Sequence, residues 1–352
     1  MEVLKDYLTR AVREGASDLF IVPGAPVSMK VDGQLTPISG EKVMPSLGET
    51  LVGELYALAS REMDEFRRTG DDDFSFSLAG LARFRVNAYR QRGSCAAVIR
   101  VVAFSIPDWQ RLHIPQQVMS LSELTGGMVL FTGTAGSGKS TTQACLIDRI
   151  NRERSCHIIT LEDPIEFLHR NQKSIVSQRE IAVDTADYLS ALRACLRQAP
   201  DVIQLGEMRD PETIRTALTA AETGHLLFAT LHTRGAVNAI DRIIDAFPGD
   251  QQAQIRSQLS AVLCSVVSQQ LLPDVNGGLV PAFEIMHMNS AVGSMIRDCK
   301  NHQIGAAIAS GGEEGMISMD QSILALLREG RITRETALDH ADNPEQMERR
   351  LG

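Results

Sequence analysis

The sequence predicts an α/β protein in two parts, a small N-terminal α/β module and a larger parallel sheet flanked by helices, ending in a helical C-terminal region. Three observations carry that prediction. From about His113 onward, short apolar runs alternate with helical segments, as in a parallel sheet covered on both faces. The first hundred residues instead hold short strands separated by Gly and Asp turns. Beyond Ala291 the pattern is mostly helical, with breaks at Gly311-Gly312 and Gly330. A chain of 352 residues has room for two domains with sizeable cores.

Taken in order, Leu4, Leu8, Ala11 and Val12 share one face of a helix over residues 3–14, which Gly15 stops. Strands follow at 19–22, 27–31, 74–78, 82–89 and 96–102, with a helix over 49–68 between the second and third. Residues 105–115 contain two prolines and the single tryptophan, Trp109, and read as a linker. The later strands fall at 128–132, 157–162, 202–205, 226–230 and 279–286. The expected division is an N-terminal domain over 1–105, a linker over 106–114, a core over 115–290 and a helical C-terminal region over 291–352. Neither an internal repeat nor a low-complexity tract interrupts it.

Hydrophobic content of 43% and charged content of 22% are ordinary for a globular protein. The longest weakly polar stretch, 255–272, is broken by Arg256, Gln258 and Gln269 among others, so no membrane span is expected. The charged amphipathic start lacks a signal-peptide core, which places the chain in the cytosol and leaves any membrane role to a partner. Six cysteines without a C-x-x-C spacing argue for free thiols over a zinc knuckle or a disulfide framework. A net charge of −9 disfavours nucleic acid as the main partner, because phosphate attraction dominates that affinity.

The most informative stretch is Met128-Val-Leu-Phe-Thr-Gly133-Thr134-Ala135-Gly136-Ser137-Gly138-Lys139-Ser140-Thr141-Thr142, an apolar strand entering GxxxxGKS and then a helix. Gly133, Gly136 and Gly138 let the backbone turn its N–H groups inward around a polyphosphate. Lys139 supplies a point charge for the β- and γ-phosphates, and the Ser140 hydroxyl can reach Mg²⁺. The helix start adds its partial positive charge to the same anion. ATP with Mg²⁺ is therefore the expected ligand.

Three further clusters stand where strands end, which is where open α/β sheets bind ligands. Glu162, Asp163 and Glu166 are three candidates for the carboxylate that orients or deprotonates an attacking water. The same run also reads as an acidic turn opening a helix, with Pro164 at its first position. Glu207, 68 positions after Lys139, ends an apolar strand in a Walker B arrangement and is placed to hold Mg²⁺ through a water. Gln204 inside that strand needs a polar neighbour. His225 and His232 flank the next strand, so one could sense the γ-phosphate and the other a neighbouring subunit; a single buried histidine is equally a structural one.

Gly-Thr-Ala-Gly-Ser-Gly-Lys-Ser-Thr-Thr, Leu-Glu-Asp-Pro-Ile-Glu-Phe, Gly-Glu-Met-Arg-Asp and Thr-Ala-Ala-Glu-Thr-Gly-His…Thr-Leu-His-Thr occur in the order and spacing of the secretion-type ATPases. The chain resembles most closely the PilT-like type IV pilus retraction ATPases, over nearly its whole length. Glu14-Gly-Ala-Ser-Asp-Leu19, Arg83-Phe-Arg-Val-Asn87 and Ile332-Thr-Arg-Glu-Thr-Ala-Leu338 extend the likeness to both ends. The missing tetracysteine segment and the Met in Gly-Glu-Met-Arg-Asp favour retraction motors over extension or type II secretion ATPases.

The resemblance implies a PAS-like N-terminal domain joined to a RecA-like ATPase domain, assembled as a homo-hexamer that works on an inner-membrane platform protein and lies peripherally at the inner face of the membrane. It implies that 133–141 form the phosphate loop, Glu166 is the catalytic carboxylate with Glu162 as second candidate, and Glu207 is the Walker B acid. His225 and His232 match the family's histidine box. Arg85 and Arg100 match arginines that close onto the γ-phosphate, and Arg193 and Arg197 match a further pair. ATP hydrolysis would then drive twitching motility by pilus retraction. Several positions depart from the pattern: Thr134-Ala135, Phe20, Ala199, and Gly293 in Ala291-Val-Gly-Ser-Met-Ile-Arg297, where an arginine linked to retraction is usual. That last change bears on pilus coupling, and keeps an extension or secretion ATPase, or a divergent accessory paralogue, as alternatives.

Overall fold

A computed structural model describes residues 2–31, 33–102 and 106–351. It separates into two compact units, Met1–Ser105 with Glu166–Leu168, and Ile106–Ile165 with His169–Gly352. The expected boundary at 105 and the first linker residue, Ser105, lie outside the described residues. Among the described residues no helix is long and apolar enough to cross a membrane.

The first unit runs α1 (Glu2–Arg13), β1 (Asp18–Ile21), β2 (Pro26–Val31), β3 (Gln34–Lys42), α2 (Pro45–Leu58), α3 (Asp64–Thr69), β4 (Asp71–Leu78), β5 (Ala82–Gln91) and β6 (Ser94–Val102). Its six strands form one antiparallel sheet in the order β3-β2-β1-β6-β5-β4. Side chains alternate across the pleat. Phe84, Val86 and Ala88 are buried on one face while Arg85 stands exposed on the other. Leu4, Leu8 and Ala11 of α1 join the same core. The expected single helix over 49–68 is two helices: Ser60 takes a positive φ just after α2, and α3 begins at Asp64. The strand β3 escaped the sequence reading because most of its side chains are exposed, so it shows no apolar alternation.

The second unit opens with α4 (Gln116–Met119), then β7 (Gly127–Thr132), α5 (Lys139–Glu153), β8 (His157–Glu162), β9 (Ile175–Glu180), α6 (Tyr188–Cys195), β10 (Val202–Leu205), α7 (Pro211–Glu222) and β11 (Leu226–Leu231). It continues through α8 (Ala236–Asp245), α9 (Gly249–Val262), β12 (Leu263–Pro273), β13 (Leu279–His287) and α10 (Ser290–Arg297). Four helices close it: α11 (Ile304–Ser310), α12 (Met319–Arg328), α13 (Arg334–His340) and α14 (Pro344–Leu351). The sheet order is β13-β12-β7-β11-β10-β8-β9, parallel throughout except for the β12–β13 hairpin. The order β12-β7-β11-β10-β8 is RecA-like.

Central strands β7, β8, β10 and β11 are buried along nearly their full length, which is why they read as predominantly apolar runs. Buried Gln204 stands in register beside Thr160 on β8, a polar neighbour. Two expectations need correcting. No helix follows Pro164, so the acidic run is not a helix start. The strand at 279–286 is antiparallel to its neighbour, and pairs with β12, a strand hidden by Ser265, Ser268 and Gln269.

Candidate nucleotide-hydrolysis site

The loop from Gly133 to Gly138 joins the carboxyl end of β7 to α5. Gly133 and Gly138 have φ of +143° and +89°, and a Cβ on either would collide with Gln269 of β12, the first with its carbonyl and the second with its side-chain amide. Only glycine lets the loop lie this close to the neighbouring strand. Gly138 caps α5 without any side-chain hydrogen bond, so the first N–H groups of that helix are left for a ligand. Thr134, Ala135 and Gly136 form the exposed crown of the loop.

Lys139 is buried, and its Nζ donates to the carbonyls of Gly133 at 2.9 Å and Thr134 at 2.8 Å. The ammonium is thus curled back across its own loop, over the place where an anion would sit. The hydroxyl of Ser137 is buried and has no hydrogen-bond partner among the described residues. Thr142 on α5 donates to Gln269 Oε1 at 2.8 Å, tying the helix start to β12. Sequence reasoning missed Gln269; the signal was the polar set Ser268, Gln269 and Gln270 after Val266-Val267, read only as interruptions of an apolar run. Beside the loop lies a cavity of about 210 Å³ lined by Leu112, Ile114, Thr141, Leu271 and Pro281 among others.

The acids sit on adjacent strands. Glu162 ends β8, where its Oε1 accepts from Thr160 Oγ1 at 2.6 Å and Gln178 Nε2 at 3.1 Å. Glu207 follows β10, which pairs with β8. Its carboxylate is only 9% exposed; Oε1 pairs with Arg209 Nη2 at 2.6 Å. Among the described residues Oε2 has no hydrogen bond, and His232 Nε2 lies 3.4 Å from it. Glu166 is exposed and groups with the first unit.

Among the described residues no cluster of three or more His, Cys, Asp or Glu could bind a metal by itself. Mg²⁺ asks for less, because it keeps several waters and takes one or two protein oxygens plus phosphate oxygens. The half-buried hydroxyl of Ser140 and the unpaired, buried Oε2 of Glu207 are oxygen donors of that kind, so these residues fit the ion.

His232 follows β11 at the carboxyl edge of the sheet, whereas His225 precedes β11 at the opposite edge, with Nδ1 2.9 Å from Ala220 O. The structure thus separates the two histidines, and only His232 is beside Glu207. Arg193 on α6 pairs with Glu212 at 3.2 Å, and Arg197 donates to Arg193 O at 3.1 Å; both are exposed. In the first unit, Arg85 and Arg100 are directly opposed on β5 and β6. Arg100 pairs with Asp18 at 3.1 Å, and the two arginines line a recess of about 280 Å³ with Asp18, Asp73 and Asn87. Opposed like charges are unfavourable unless an anion comes between them.

Burial pushes the Cys145 thiol up to about 12 and that of Cys195 up to about 11, so neither is a nucleophile at neutral pH. All six cysteines are free; Cys299 is the exposed one.

A family profile described as type II/IV secretion system protein matches residues 1–310. The chain is 42% identical over 346 residues to the type IV pilus retraction ATPase PilT of Pseudomonas aeruginosa, covering 98% of this chain and 99% of that one. It is 43% identical over 322 residues to a twitching motility protein of Neisseria gonorrhoeae, covering 91% and 85%. The crystal structure of the pilus retraction motor PilT with bound ADP matches with a TM-score of 0.87 and 42% identity, over 99% of this chain and 98% of that one. The chain therefore belongs to the type II/IV secretion system protein family, as a PilT-like ATPase.

Proposed function

We propose that this protein is an ATP-hydrolysing motor that powers type IV pilus retraction, working as a homo-hexamer on a platform protein at the inner membrane. The observation that carries the proposal is the phosphate loop itself. A buried lysine is folded over the open N-terminus of α5, in a chain alike along its whole length to a retraction ATPase. On nucleotide binding, Lys139 exchanges two carbonyl partners for phosphate oxygens, a stronger charge-assisted contact. The backbone N–H groups of 133–141 hold the same phosphates, and the cavity lined by Leu112, Leu271 and Pro281 offers apolar walls to the base.

Ser140 and Glu207 would hold Mg²⁺, which neutralises phosphate charge. Glu166 activates the attacking water, with Glu162 as the second candidate. His232, beside Glu207, reads the terminal phosphate. Arg85 and Arg100 present paired forks of donors to phosphate oxygens. His225, Arg193 and Arg197, exposed or half-buried, serve as sensor or interface residues between subunits. Cycles of binding and release that order and free these groups are the usual route from phosphate chemistry to motion.

Steady-state phosphate release by the purified chain tests the enzyme, and twitching in a retraction-motor deletion strain tests the motor. Restored twitching supports retraction. Turnover without restored twitching favours the accessory-paralogue reading, to which Gly293 points.

A further inference from the structure

The Tyr188 side chain stands apart from the roles assigned above. It is the first residue of α6, and Asp187 caps that helix by accepting from Ser190 N–H at 2.7 Å, which fixes the direction in which the ring leaves the backbone. The ring leads to Gly206: a methyl group there would come within 2.6 Å of the Tyr188 hydroxyl and 3.2 Å of its Cε1. Gly206 N–H donates to Leu161 O at 2.8 Å, so the hydroxyl lies over the point where β8 and β10 end together. Glu162 is the next residue on one strand and Glu207 the next on the other.

The phenol feels Glu207, Asp163 and Glu162 on one side of the balance and Arg209 on the other; burial first, and these acids after it, push its pKa above the ordinary value. Its hydroxyl makes no hydrogen bond to any described residue, although Glu207 Oε2 close by also lacks one. Ionised carboxylates only accept, so a neutral phenol O–H among them is the group that donates. The ligand that accepts from a phenol while donating to carboxylates is water.

We propose that Tyr188 is a water-positioning residue for hydrolysis, its hydroxyl donating to the attacking water at the junction of β8 and β10. This rests on the ATPase reading above. In the step, the water oxygen bonds to the γ-phosphorus as the bond to the ADP oxygen breaks, and the water proton passes to the catalytic carboxylate of that reading. Tyr188 keeps its own proton and fixes the water's lone pairs. Such orientation acts on the transition state and not on ground-state binding.

The test compares wild type, Tyr188→Phe and Lys139→Ala as purified full chains. It reads kcat and KM from phosphate release, and equilibrium affinity for ADP alone and for ADP with Mg²⁺ and aluminium fluoride, a mimic of the transferring phosphoryl group. Tyr188→Phe should leave KM and ADP affinity within about twofold while kcat and the added affinity from aluminium fluoride each fall about tenfold, the size of one lost hydrogen bond. Unchanged kcat and fluoride affinity would overturn the proposal, as would an equal loss of ADP and fluoride binding, which marks a structural role. Lys139→Ala should lose both affinities. A wild type that neither binds nor turns over nucleotide would overturn the ATPase reading, and this one with it.

Discussion

In the proposed function, Lys139 is the residue on which capture of the nucleotide turns. Its two carbonyl contacts keep the buried ammonium at the loop before any phosphate arrives, and in the proposed function it trades them for phosphate oxygens. Lys139→Ala removes a charge-assisted contact of about 1.5–3 kcal/mol, roughly a ten- to hundredfold loss of nucleotide affinity measurable by fluorescent-nucleotide titration. Glu166→Gln should keep that affinity and lose at least tenfold in turnover; turnover at the wild-type rate would pass the role to Glu162. A different kind of residue is His169, whose pKa burial lowers from 6.5 to about 4. The folded state then binds its proton at lower pH than the unfolded chain. Its contribution to stability is complete above pH 6.5 and is lost as pH falls towards 4. A His169→Gln variant should show a flatter melting temperature against pH across that window, and an unchanged slope would refute the assignment.

At the level of elements, the site depends on close backbone approaches. Gly206 separates the ends of β8 and β10 from Tyr188, and a Cβ there meets the Leu161 carbonyl at 2.9 Å as well as the phenol. Gly206→Ala should cost about 1–3 kcal/mol in chemical denaturation, because backbone cannot swing aside as a side chain can. Gln269 of β12 braces the loop from the other flank, so Gln269→Ala should cost about 1 kcal/mol through the lost Thr142 contact and weaken nucleotide binding. These elements also show what the sequence could reveal. The strands β7, β10 and β11 were legible because burial on both faces leaves mostly apolar residues, with Thr132, Gln204 and Thr230 as the polar exceptions. By contrast β12 was not, since its polar positions face the loop and the hairpin partner instead of a uniform core. The strand β9, with a single fully buried side chain, offered no periodic signal at all. The acids were legible as a set, yet their neighbours were not: that His232 comes beside Glu207 depends on β10 and β11 being adjacent strands, and that is a tertiary fact.

For the whole molecule, the account joins a full-length likeness to a retraction motor with a phosphate loop built for polyphosphate. The first unit contributes a recess of its own, where Arg85 and Arg100 oppose each other beside Asp18 and Asp73. Replacing both with Gln should lower turnover at saturating ATP more than nucleotide affinity, since the pair is read as engaging phosphate during the cycle. The most direct measurement of the central claim is phosphate release by the purified chain with ATP and Mg²⁺, beside Lys139→Ala. The account predicts steady turnover in the wild type and none above background in the variant. Equal release from both proteins, or none from either together with no affinity for adenine nucleotides, would contradict it.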